Sequence, residues 1–328
     1  MKSYLIIGSN SFSGSNFINY LLNKGSTVIG ISRSKEINPE YLKYKDNDKI
    51  KNFKFIQCNL TQTKKIIKII KKYKTEVIVN FAAQGMVEES WENPIDWYET
   101  NIIYTISLIE KLSRIKFVKR FIQFSTPEVY GNTKKWVREN SKFNPSTPYA
   151  ISRACSDMHL NILNKYKGFP FIITRTANVY GPHQQLYRVL PKLIIKCLNK
   201  KKFYIDGKGN SERSFIFIDD VNEALYKIIK KGKSGGTYHI STNNLISIKK
   251  LALLVCKKLN ADQKFIIRHT KERLGKDMYY KLRSNQIRRD FNWKEKVKLE
   301  EGIDKTIIWI KKNYKNFNKQ KLNYLHKK

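Results

Sequence analysis

The sequence predicts an α/β fold: a doubly wound parallel sheet with a smaller α+β lobe. Short apolar runs alternate with helical segments from the start of the chain, which is the order of βαβ units. A glycine-bearing turn follows the first run, and helical segments are interleaved with short strands after about residue 181. We therefore expect a sheet domain over residues 1–180, a lobe over 181–315 interleaved with it, and a basic tail over 316–328.

The apolar runs are expected to form the strands of one sheet. Apolar strands that alternate with helices indicate parallel pairing with both faces covered, and ligands bind at the carboxyl ends of such strands. In chain order, the runs are Tyr4–Ile7, Thr27–Ile31, Phe53–Ile56, Val77–Phe81, Arg120–Phe124 and Phe171–Thr174. The first helix is expected from about Phe12 to Leu22.

The second half of the chain predicts a lobe that closes over the ligand site. Helical segments are expected at residues 191–199, 219–231, 247–258 and 299–313, with a short strand at Thr237–Ile240. From Lys315 onward the chain is rich in Lys and Asn, so we expect this tail to lie loosely on the surface.

The formal net charge of +37 results from 64 Lys and Arg residues against 27 Asp and Glu residues. Such a charge can indicate a nucleic-acid partner, because cations that bind phosphates release counterions. The lysines, however, are spread over the whole chain, and the run Lys64–Lys72 has helical spacing that gives a solvated lysine face. No arginine-rich tract or RNA-binding motif accompanies them. We therefore favour ordinary surface lysines and no nucleic-acid partner, with electrostatic capture of a small anionic substrate as the alternative.

Other sequence features concern the compartment and metal content. No apolar run approaches the roughly 20 residues that span a bilayer, and the start of the chain lacks a signal-peptide pattern. The four cysteines form no CxxC pair, and the five histidines form no HExxH motif. We expect a cytoplasmic protein with reduced thiols, no membrane partner and no metal site.

The turn Gly8–Gly14 joins the first strand to the first helix. Glycines in such a turn let the backbone approach a pyrophosphate, whose charge faces the helix N-terminus. The spacing is the GxxGxxG of short-chain dehydrogenases, with Ser11 in place of the middle glycine, so the loop must shift slightly or use the Ser11 hydroxyl as a donor. The dinucleotide contacts expected from this turn are Gly8, Ser11, Phe12, Ser13 and Gly14.

The end of the second strand indicates which dinucleotide binds. An acidic residue there would hold the 2′-hydroxyl of NAD, whereas an arginine accommodates the 2′-phosphate of NADP. Gly30–Ser34 contains no acid, so Ser32 and Arg33 favour NADP over NAD, although Arg33 could also be only a surface arginine of a basic protein. Further cofactor contacts are expected in the loops after the third and fourth strands, at Asn59, Leu60, Ala82, Ala83 and Gln84.

Two further motifs carry a resemblance to a known family. Ser125–Gly131 (STPEVYG) closes the fifth strand, and Pro148–Arg153 (PYAISR) opens the next helix. Together they resemble the extended short-chain dehydrogenase superfamily, which has a Rossmann fold, and specifically its sugar-nucleotide 4,6-dehydratases, over residues 3–313. The segments Arg175–Pro182, Gly207–Gly209 with Arg213, and Arg273–Asp277 are similar to the dTDP-glucose 4,6-dehydratase branch, whereas Ala82–Gln84 and Gly30–Arg33 look more like the GDP-mannose branch.

The residues of these motifs also fit the chemistry on their own. A tyrosine hydroxyl has a pKa of about 10, so it needs a nearby cation to act as a base at neutral pH. The four-residue spacing of Tyr149 and Arg153 places both on one helix face, where Arg153 is expected to lower the pKa of Tyr149. Thr126 can hydrogen-bond the hydroxyl that is oxidised, and Glu128 can remove a carbon-bound proton beside the resulting ketone.

The resemblance implies a dehydration with no net use of a tightly bound cofactor. Tyr149 would deprotonate the sugar 4-hydroxyl while hydride leaves C4 for the nicotinamide. Glu128 would then take the C5 proton, water would leave from C6, and the hydride would return to C6. The product is a nucleotide-linked 4-keto-6-deoxy sugar. The resemblance also implies a homodimer, through helices near 94–115 and 149–166.

The chain departs from the family pattern at two catalytic positions. The dTDP branch has an aspartate before the glutamate, which protonates the leaving 6-hydroxyl, but this chain has Pro127. The GDP-mannose branch also lacks that aspartate, so Glu128 is expected to act as base and then as acid. Arg153 stands where the superfamily has lysine; it retains the charge but does not readily release a proton.

Arginines are the expected ligands of the substrate diphosphate, since a guanidinium matches phosphate oxygens. Arg213 and Arg273 are the main candidates, and surface ion pairs are the alternative for each. Arg188 is a further expected contact, and Asn178 could add a neutral donor. Asp206 replaces an aromatic residue of the dTDP branch and could accept a hydrogen bond from a guanine or cytosine amino group.

Two other functions stay open. A C4 epimerase or a decarboxylase of a nucleotide-linked uronic acid would use the same hydride chemistry. A non-catalytic NADP-binding or sensing module is suggested by the departures at Ser11, Pro127 and Arg153. The retention of Thr126, Glu128 and Tyr149 argues against this last function, because a binding module does not need all three.

Overall fold

A seven-stranded parallel sheet organises the protein in a computed structural model, which describes residues 3–272 and 274–327. The described strands are β1 Ser3–Ile7, β2 Thr27–Ser32, β3 Phe53–Gln57, β4 Val77–Asn80, β5 Arg120–Ser125, β6 Phe171–Thr176, β7 Asn178–Tyr180, β8 Phe203–Asp206, β9 Glu212–Arg213, β10 Phe215–Phe217, β11 Gly236–Ile240, β12 Ile246–Ser247 and β13 Ile267–Thr270. The α-helices are α1 Phe12–Asn23, α2 Thr63–Tyr73, α3 Pro94–Tyr98, α4 Thr105–Leu112, α5 Pro148–Lys167, α6 Val189–Leu198, α7 Ile218–Lys231, α8 Ile248–Lys258, α9 Gln263–Ile266, α10 Asn285–Phe291, α11 Leu299–Lys312 and α12 Tyr314–Phe317. Turns of 3₁₀ helix lie at Pro39–Tyr41, Lys43–Asp46, Ile50–Asn52 and Pro127–Tyr130, and a π-helical turn lies at Glu99–Tyr104.

The strand order in this sheet is β11-β6-β5-β4-β1-β2-β3, and all neighbouring pairs are parallel. The chain starts in the middle at β1, adds β2 and β3 on one side, and then crosses to β4 on the other side. This reversal opens a crevice at the carboxyl ends of β1 and β4, where ligands of such sheets bind. The predicted Rossmann fold is confirmed, and the six expected strands have ends displaced by no more than two residues.

Strand β1 shows why an unbroken apolar run predicts a strand with both faces covered. Tyr4 and Ile6 belong to a core that includes Phe17 of α1 on one face of the sheet. Leu5 belongs to a different core, which includes Ile70 of α2. Because successive side chains of a strand point to opposite faces, two helical layers require apolar residues at every position.

Strand β11 differs from the prediction. The sequence placed Thr237–Ile240 in the smaller lobe, but β11 pairs with β6 at the edge of the central sheet. Helix α7 packs against α1, and Leu225 of α7 and Ile240 of β11 share a core with Tyr4. The prediction was wrong at this point because a short strand does not record which sheet it joins; tertiary packing decides the partner.

The smaller lobe is built around a second core, where α6, α8 and α11 meet. Leu193, Leu251 and Ile303 of these helices are completely buried. Short strand pairs complete the lobe: β7 with β10, β8 with β13, and β9 with β12. The four helices expected in this half are confirmed, with ends within two residues of the expected ones.

Helix α2 has the amphipathic pattern that the lysine run predicts. Ile66 and Ile70 are completely buried, whereas Lys64, Lys68 and Lys71 are exposed. The charge of this run therefore lies on a solvated helix face. Within residues 3–272 and 274–327, no helix is both long enough and apolar enough to cross a membrane.

Candidate active site

A cavity of about 1320 Å³ opens at the carboxyl edge of the central sheet and is lined from both halves of the chain. Most residues predicted for the site line it: Gly8, Ser11, Phe12, Ser13, Ser32, Arg33, Asn59, Leu60, Ala82, Ala83, Gln84, Thr126, Glu128, Tyr149, Arg153, Asn178, Arg188, Asp206 and Arg213. Gly14 lies in the first turn of α1 and is not among the lining residues. Arg273 lies outside the described residues.

The turn between β1 and α1 is shaped by close backbone approaches. Gly8 has a φ of +83°, and a Cβ there would lie 2.8 Å from the backbone nitrogen of Ala82. The Ser11 hydroxyl donates to the Gly8 carbonyl at 2.7 Å and accepts from the Gly14 N–H at 3.0 Å. Ser11 is therefore the N-cap of α1, and its hydroxyl stabilises the turn itself rather than serving as a free donor to a ligand.

The end of β2 lies beside this turn. The Ser32 hydroxyl accepts from the backbone N–H of Asn10 at 3.0 Å, which joins the two loops. Arg33 is exposed, and its Nη1 donates to the carbonyl oxygen of Lys327 at 2.8 Å. The guanidinium is thus held at the cavity by a contact from the far end of the chain.

The loop after β4 is tied to the catalytic helix α5 by Asn101, which the sequence analysis missed. Asn101 is completely buried in the π-helical turn. Its Oδ1 accepts from the Gln84 N–H at 2.9 Å, and its Nδ2 donates to the Gln84 carbonyl at 3.0 Å and to Ser152 Oγ at 2.9 Å. A single amide thus positions the Gln84 loop relative to α5. The only sequence signal for it is a polar residue within an otherwise helical apolar segment.

Thr126, Tyr149 and Arg153 meet where β5 ends and α5 begins. A hydrogen bond joins the side chains of Thr126 and Tyr149. Arg153 lies one helical turn after Tyr149 and is 2% exposed, with Nη2 donating to the Phe124 carbonyl at 2.5 Å. Its Nε and Nη1 are buried and have no hydrogen-bond partner among the described residues. Two donors of a buried cation therefore remain for a ligand.

The pKa of Tyr149 differs from the prediction. Loss of hydration raises it above the usual value of 10, and the nearby carboxylate of Glu128 raises it further. Arg153 and the hydrogen bond from Thr126 act in the expected direction and lower the pKa, but they do not outweigh burial. Spacing alone predicted the neighbouring cation correctly and gave no measure of the desolvation.

Glu128 lies on the 3₁₀ turn Pro127–Tyr130, where Pro127 takes the first position. Its Oε2 is buried and accepts no hydrogen bond from residues 3–272 or 274–327. Loss of hydration raises the pKa of this carboxyl, while Arg213 and Arg188 lower it. An incompletely satisfied carboxylate with a raised pKa is suited to take up and release a proton.

A buried ion pair supports the loop that carries Thr126 and Glu128. Arg175 and Asp157 are 2% and 0% exposed, and their side chains meet at 3.0 Å. Asp157 also accepts from the Ser125 hydroxyl at 2.9 Å, and Arg175 donates to the hydroxyl of Tyr130. The pair therefore holds both ends of the loop 125–130. The sequence analysis missed this role, although it noted the motif that contains Arg175.

The opposite part of the cavity is lined by cationic side chains. Arg213 is 7% exposed, stacks on the ring of Tyr280 at 4.1 Å, and donates to the carbonyls of Asp277 and Met278. Arg188 is exposed at the cavity beside Tyr187, with its guanidinium 5.4 Å from that ring.

Two further predicted residues lie in this part of the cavity. Asn178 begins β7. Asp206 ends β8, and its carbonyl accepts from the ammonium of Lys276 at 2.8 Å. The positive side chains of this part suit a ligand with a diphosphate.

The tail also departs from the prediction, since it does not lie loosely on the surface. Phe317 of α12 is completely buried. The tail segment, defined as residues 318–327, then follows the mouth of the cavity. His326 stacks on Trp97 at 4.9 Å and contacts Asp96 Oδ2 at 2.6 Å, and the Lys327 carbonyl accepts from Gln84 Nε2 at 2.7 Å.

The residues at the carboxyl ends of the central strands fit a dinucleotide cofactor. The Gly8 backbone leaves no room for a side chain, and the N-terminus of α1 faces the same cavity. The unpartnered donors of Arg153 suit ribose hydroxyls. The group would be held by the Gly8–Gly14 turn, the β2 end, the Gln84 loop, Tyr149 and Arg153, and it would supply hydride transfer.

Comparisons with known proteins agree with this geometry. The family profile described as GDP-mannose 4,6 dehydratase matches residues 5–306. The dTDP-D-glucose 4,6-dehydratase of Homo sapiens is 34% identical over 272 residues, which cover 81% of this chain and 77% of that protein. Two solved dTDP-glucose 4,6-dehydratases with NAD bound are also similar. The one from Streptomyces venezuelae has a TM-score of 0.89 and 25% identity, with 95% of this chain and 98% of that chain covered.

The second, from Bacillus anthracis, has a TM-score of 0.86 and 28% identity, with 96% of this chain and 98% of that chain covered. These similarities confirm that the chain resembles sugar-nucleotide 4,6-dehydratases. They also support the predicted dependence of the protein on a nicotinamide dinucleotide. The chain therefore belongs to the GDP-mannose 4,6-dehydratase family.

Proposed function

We propose that this protein converts a nucleotide-diphosphate hexose into the 4-keto-6-deoxy sugar nucleotide with loss of water. The observation that carries the proposal is the placement of Thr126, Glu128 and Tyr149 on one cavity, beside the glycine turn of a dinucleotide site. An enzyme that only oxidises C4 needs Thr126 and Tyr149. Glu128 adds the base that an elimination at C5 and C6 requires.

Each chemical step has a residue in the cavity. The dinucleotide, which the Gly8–Gly14 turn, the Gln84 loop and Arg153 would hold, would supply reversible hydride transfer at C4 and C6. Tyr149 takes the proton of the 4-hydroxyl; Arg153 and the hydrogen bond from Thr126 favour the tyrosinate that this step needs and act against the burial that raises the pKa of Tyr149. Thr126 orients the 4-hydroxyl beside Tyr149.

The 4-ketone makes the C5 proton acidic, Glu128 removes that proton, and the C6 hydroxyl leaves as water after it is protonated. When hydride adds to C6, C5 takes up a proton from solvent, and Tyr149 releases the proton of the former 4-hydroxyl to solvent.

Glu128 is proposed to supply the proton for the departing water as well. Pro127 offers no acidic group at the preceding position, and its ring occupies the first turn of the 3₁₀ helix. The raised pKa of Glu128 supports both tasks, because a carboxyl that is easily protonated passes the C5 proton on to the leaving oxygen.

A panel of substrates tests the proposal. Purified protein is incubated with dTDP-, GDP-, UDP- and CDP-hexoses and with the corresponding uronic acids. The products are separated by chromatography and read by mass and by the alkali-induced absorbance of a 4-keto sugar. We expect loss of one water from at least one hexose. A product of unchanged mass would indicate a C4 epimerase, loss of carbon dioxide from a uronic acid would indicate a decarboxylase, and cofactor binding without turnover would indicate a binding module.

The nucleobase is proposed to carry an exocyclic amino group, as in guanine or cytosine. Asp206 lines the cavity at the end of β8, and a carboxylate accepts from such an amino group. In the substrate panel, GDP- or CDP-hexoses should therefore react faster than dTDP- and UDP-hexoses. The opposite order would contradict this assignment of Asp206.

NADP is proposed as the preferred cofactor. Arg33 lies at the cavity after β2, and the segment Gly30–Ser34 contains no acid that would hold the 2′-hydroxyl of NAD. Cofactor released by heat from the purified protein and identified by mass tests this proposal. Release of NAD alone would contradict it.

A homodimer is proposed through the face formed by α3, the π-helical turn and α5. These elements contact one another, and Ile103 and Ile162 on them are 59% and 58% exposed. Burial of such side chains favours association with a second copy. Light scattering should give a dimer for the wild type and a monomer for Ile162→Glu, whereas Ile308→Glu, at an exposed isoleucine of α11, should stay dimeric.

A further inference from the structure

The tail segment lies in the part of the cavity that the dinucleotide is proposed to use. Five of its residues line the same cavity as the cofactor contacts Ser32, Asn59 and Ala82. They are Lys321, Asn323, Tyr324, Leu325 and Lys327. The tail segment and the proposed cofactor site therefore lie in the same cavity.

A single carbonyl bridges the loops on both sides of the crevice. The oxygen of Lys327 accepts from Arg33 Nη1 at 2.8 Å and from Gln84 Nε2 at 2.7 Å. Arg33 follows β2 and Gln84 follows β4, and these strands lie on opposite sides of β1. A dinucleotide bound as proposed, from Arg33 to Tyr149, would run between these two loops, where the carbonyl of Lys327 lies. We therefore infer that the two compete for this position.

The tail segment is anchored on both walls of the cavity. On one wall, His326 stacks on the buried Trp97 and contacts Asp96 Oδ2 at 2.6 Å. On the other wall, Asn323 Oδ1 accepts from Lys192 of α6 at 3.2 Å, and Tyr324 lies edge-on against Tyr187. Because the tail segment contacts both α3 and α6, it is held in place rather than lying loosely on the surface.

We propose that the tail segment is an internal competitor of the dinucleotide, which covers the adenosine end of the crevice in the cofactor-free protein and leaves it when cofactor binds. The inference rests on the proposed function, since it requires Arg33 and Gln84 to be cofactor contacts. A cofactor that is regenerated in every turnover dissociates rarely. A tail segment that blocks the cofactor site would therefore control how fast the enzyme binds its cofactor, rather than the rate of the chemical steps. If the segment covers the crevice nine-tenths of the time, the apparent Kd for cofactor is about tenfold weaker than the intrinsic one.

The first test compares cofactor binding by full-length variants. Cofactor is removed, and the Kd for NADP and NAD is measured for the wild type, His326→Ala and the control Lys319→Ala. His326→Ala removes the stack on Trp97 and the contact with Asp96, so it should tighten cofactor binding and speed association by up to about tenfold. Lys319 is an exposed residue of the same segment, and its replacement should have no effect. Equal constants for all three proteins would overturn the inference.

Hydrogen exchange of the wild-type chain gives a second, independent readout. Saturating NADP should accelerate amide exchange in residues 321–327, because the segment is displaced. Slower exchange would overturn the inference and would instead make the tail segment a cover over bound cofactor. Cofactor binding without any dehydrated product would refute the proposed function alone. No cofactor binding by any of the proteins would refute the inference together with the cofactor assignment.

Discussion

The two ends of the candidate active-site cavity differ in whether their polar side chains have hydrogen-bond partners. We call the part around Glu128 and Arg153 the catalytic end and the part around Arg33 and Gln84 the adenosine end. At the catalytic end, Glu128 Oε2 and two nitrogens of Arg153 are buried without hydrogen-bond partners in the described part of the chain. At the end proposed to hold the adenosine, Arg33 Nη1 and Gln84 Nε2 both donate to the Lys327 carbonyl. Glu128 and Arg153 therefore have hydrogen-bonding capacity left for a ligand, whereas Arg33 Nη1 and Gln84 Nε2 already have a partner within the chain.

The difference shows that a side chain can lie in the right place for a ligand and yet have its hydrogen-bonding atoms already engaged by the protein. Unpaired buried groups cost stability, and the buried pair Asp157–Arg175 keeps the loop that carries Glu128 in place despite that cost. An exposed arginine has no comparable need for a rigid support, so it can exchange one partner for another. We expect variants at the catalytic end to change rate or stability strongly, and variants at the adenosine end to change cofactor affinity mildly.

The largest effect is expected for Tyr149→Phe. Loss of the phenolic hydroxyl removes the group that accepts the 4-hydroxyl proton, so turnover should fall by about 10⁴-fold. Product formation is measured by mass under saturating substrate, with Tyr73→Phe on α2 as the matched control. Turnover within tenfold of the wild type would show that another group takes this proton.

The next largest effect is expected for Glu128→Gln. An amide cannot take the C5 proton, so elimination should fall by about 10³-fold while reduction of the cofactor, followed by absorbance, still occurs. Because burial raises the pKa of Glu128, the wild-type elimination rate should fall on acidification already at a pH above the usual glutamate range. Normal dehydration by the variant, or an acid limb at the ordinary carboxyl pKa, would contradict the role of this residue.

A smaller effect, on stability, is expected for Asp157→Asn. The substitution leaves Arg175 buried without its counter-charge, which should lower the free energy of unfolding by about 3 kcal/mol. Urea denaturation measures it, and Glu301→Gln is the control because the exposed pair Glu301–Lys305 contributes about 0.5 kcal/mol. Equal losses for the two variants would show that burial of the pair has no consequence.

The smallest effect is expected for Arg33→Ala. Loss of the guanidinium should weaken NADP binding relative to NAD by about tenfold, the value of one charge-assisted hydrogen bond. The same variant removes one of the two donors to Lys327, so it should also loosen the tail segment. An unchanged ratio of NADP to NAD affinity, with Lys35→Ala as reference, would make Arg33 only a surface residue.

Sequence reasoning succeeded where structure is local. The strands follow from apolar runs, and the Gly8–Gly14 turn follows from residue types that only a close backbone approach requires. The tail contact could not be found in this way, because Lys327 contributes its backbone carbonyl, which every residue type has. The role of Asn101 depends on a π-helical turn that leaves no clear mark in the sequence. The pKa of Tyr149 depends on burial, which spacing does not report.

The edge position of β11 has a consequence for synthesis of the protein. All six residues of β6 are buried, yet the outer neighbour of this strand is made only when residues 236–240 leave the ribosome. Until then β6 presents an open, apolar edge, which is a template for pairing with other nascent chains. Expression of residues 1–180 alone would make that temporary exposure permanent, so such a fragment should aggregate.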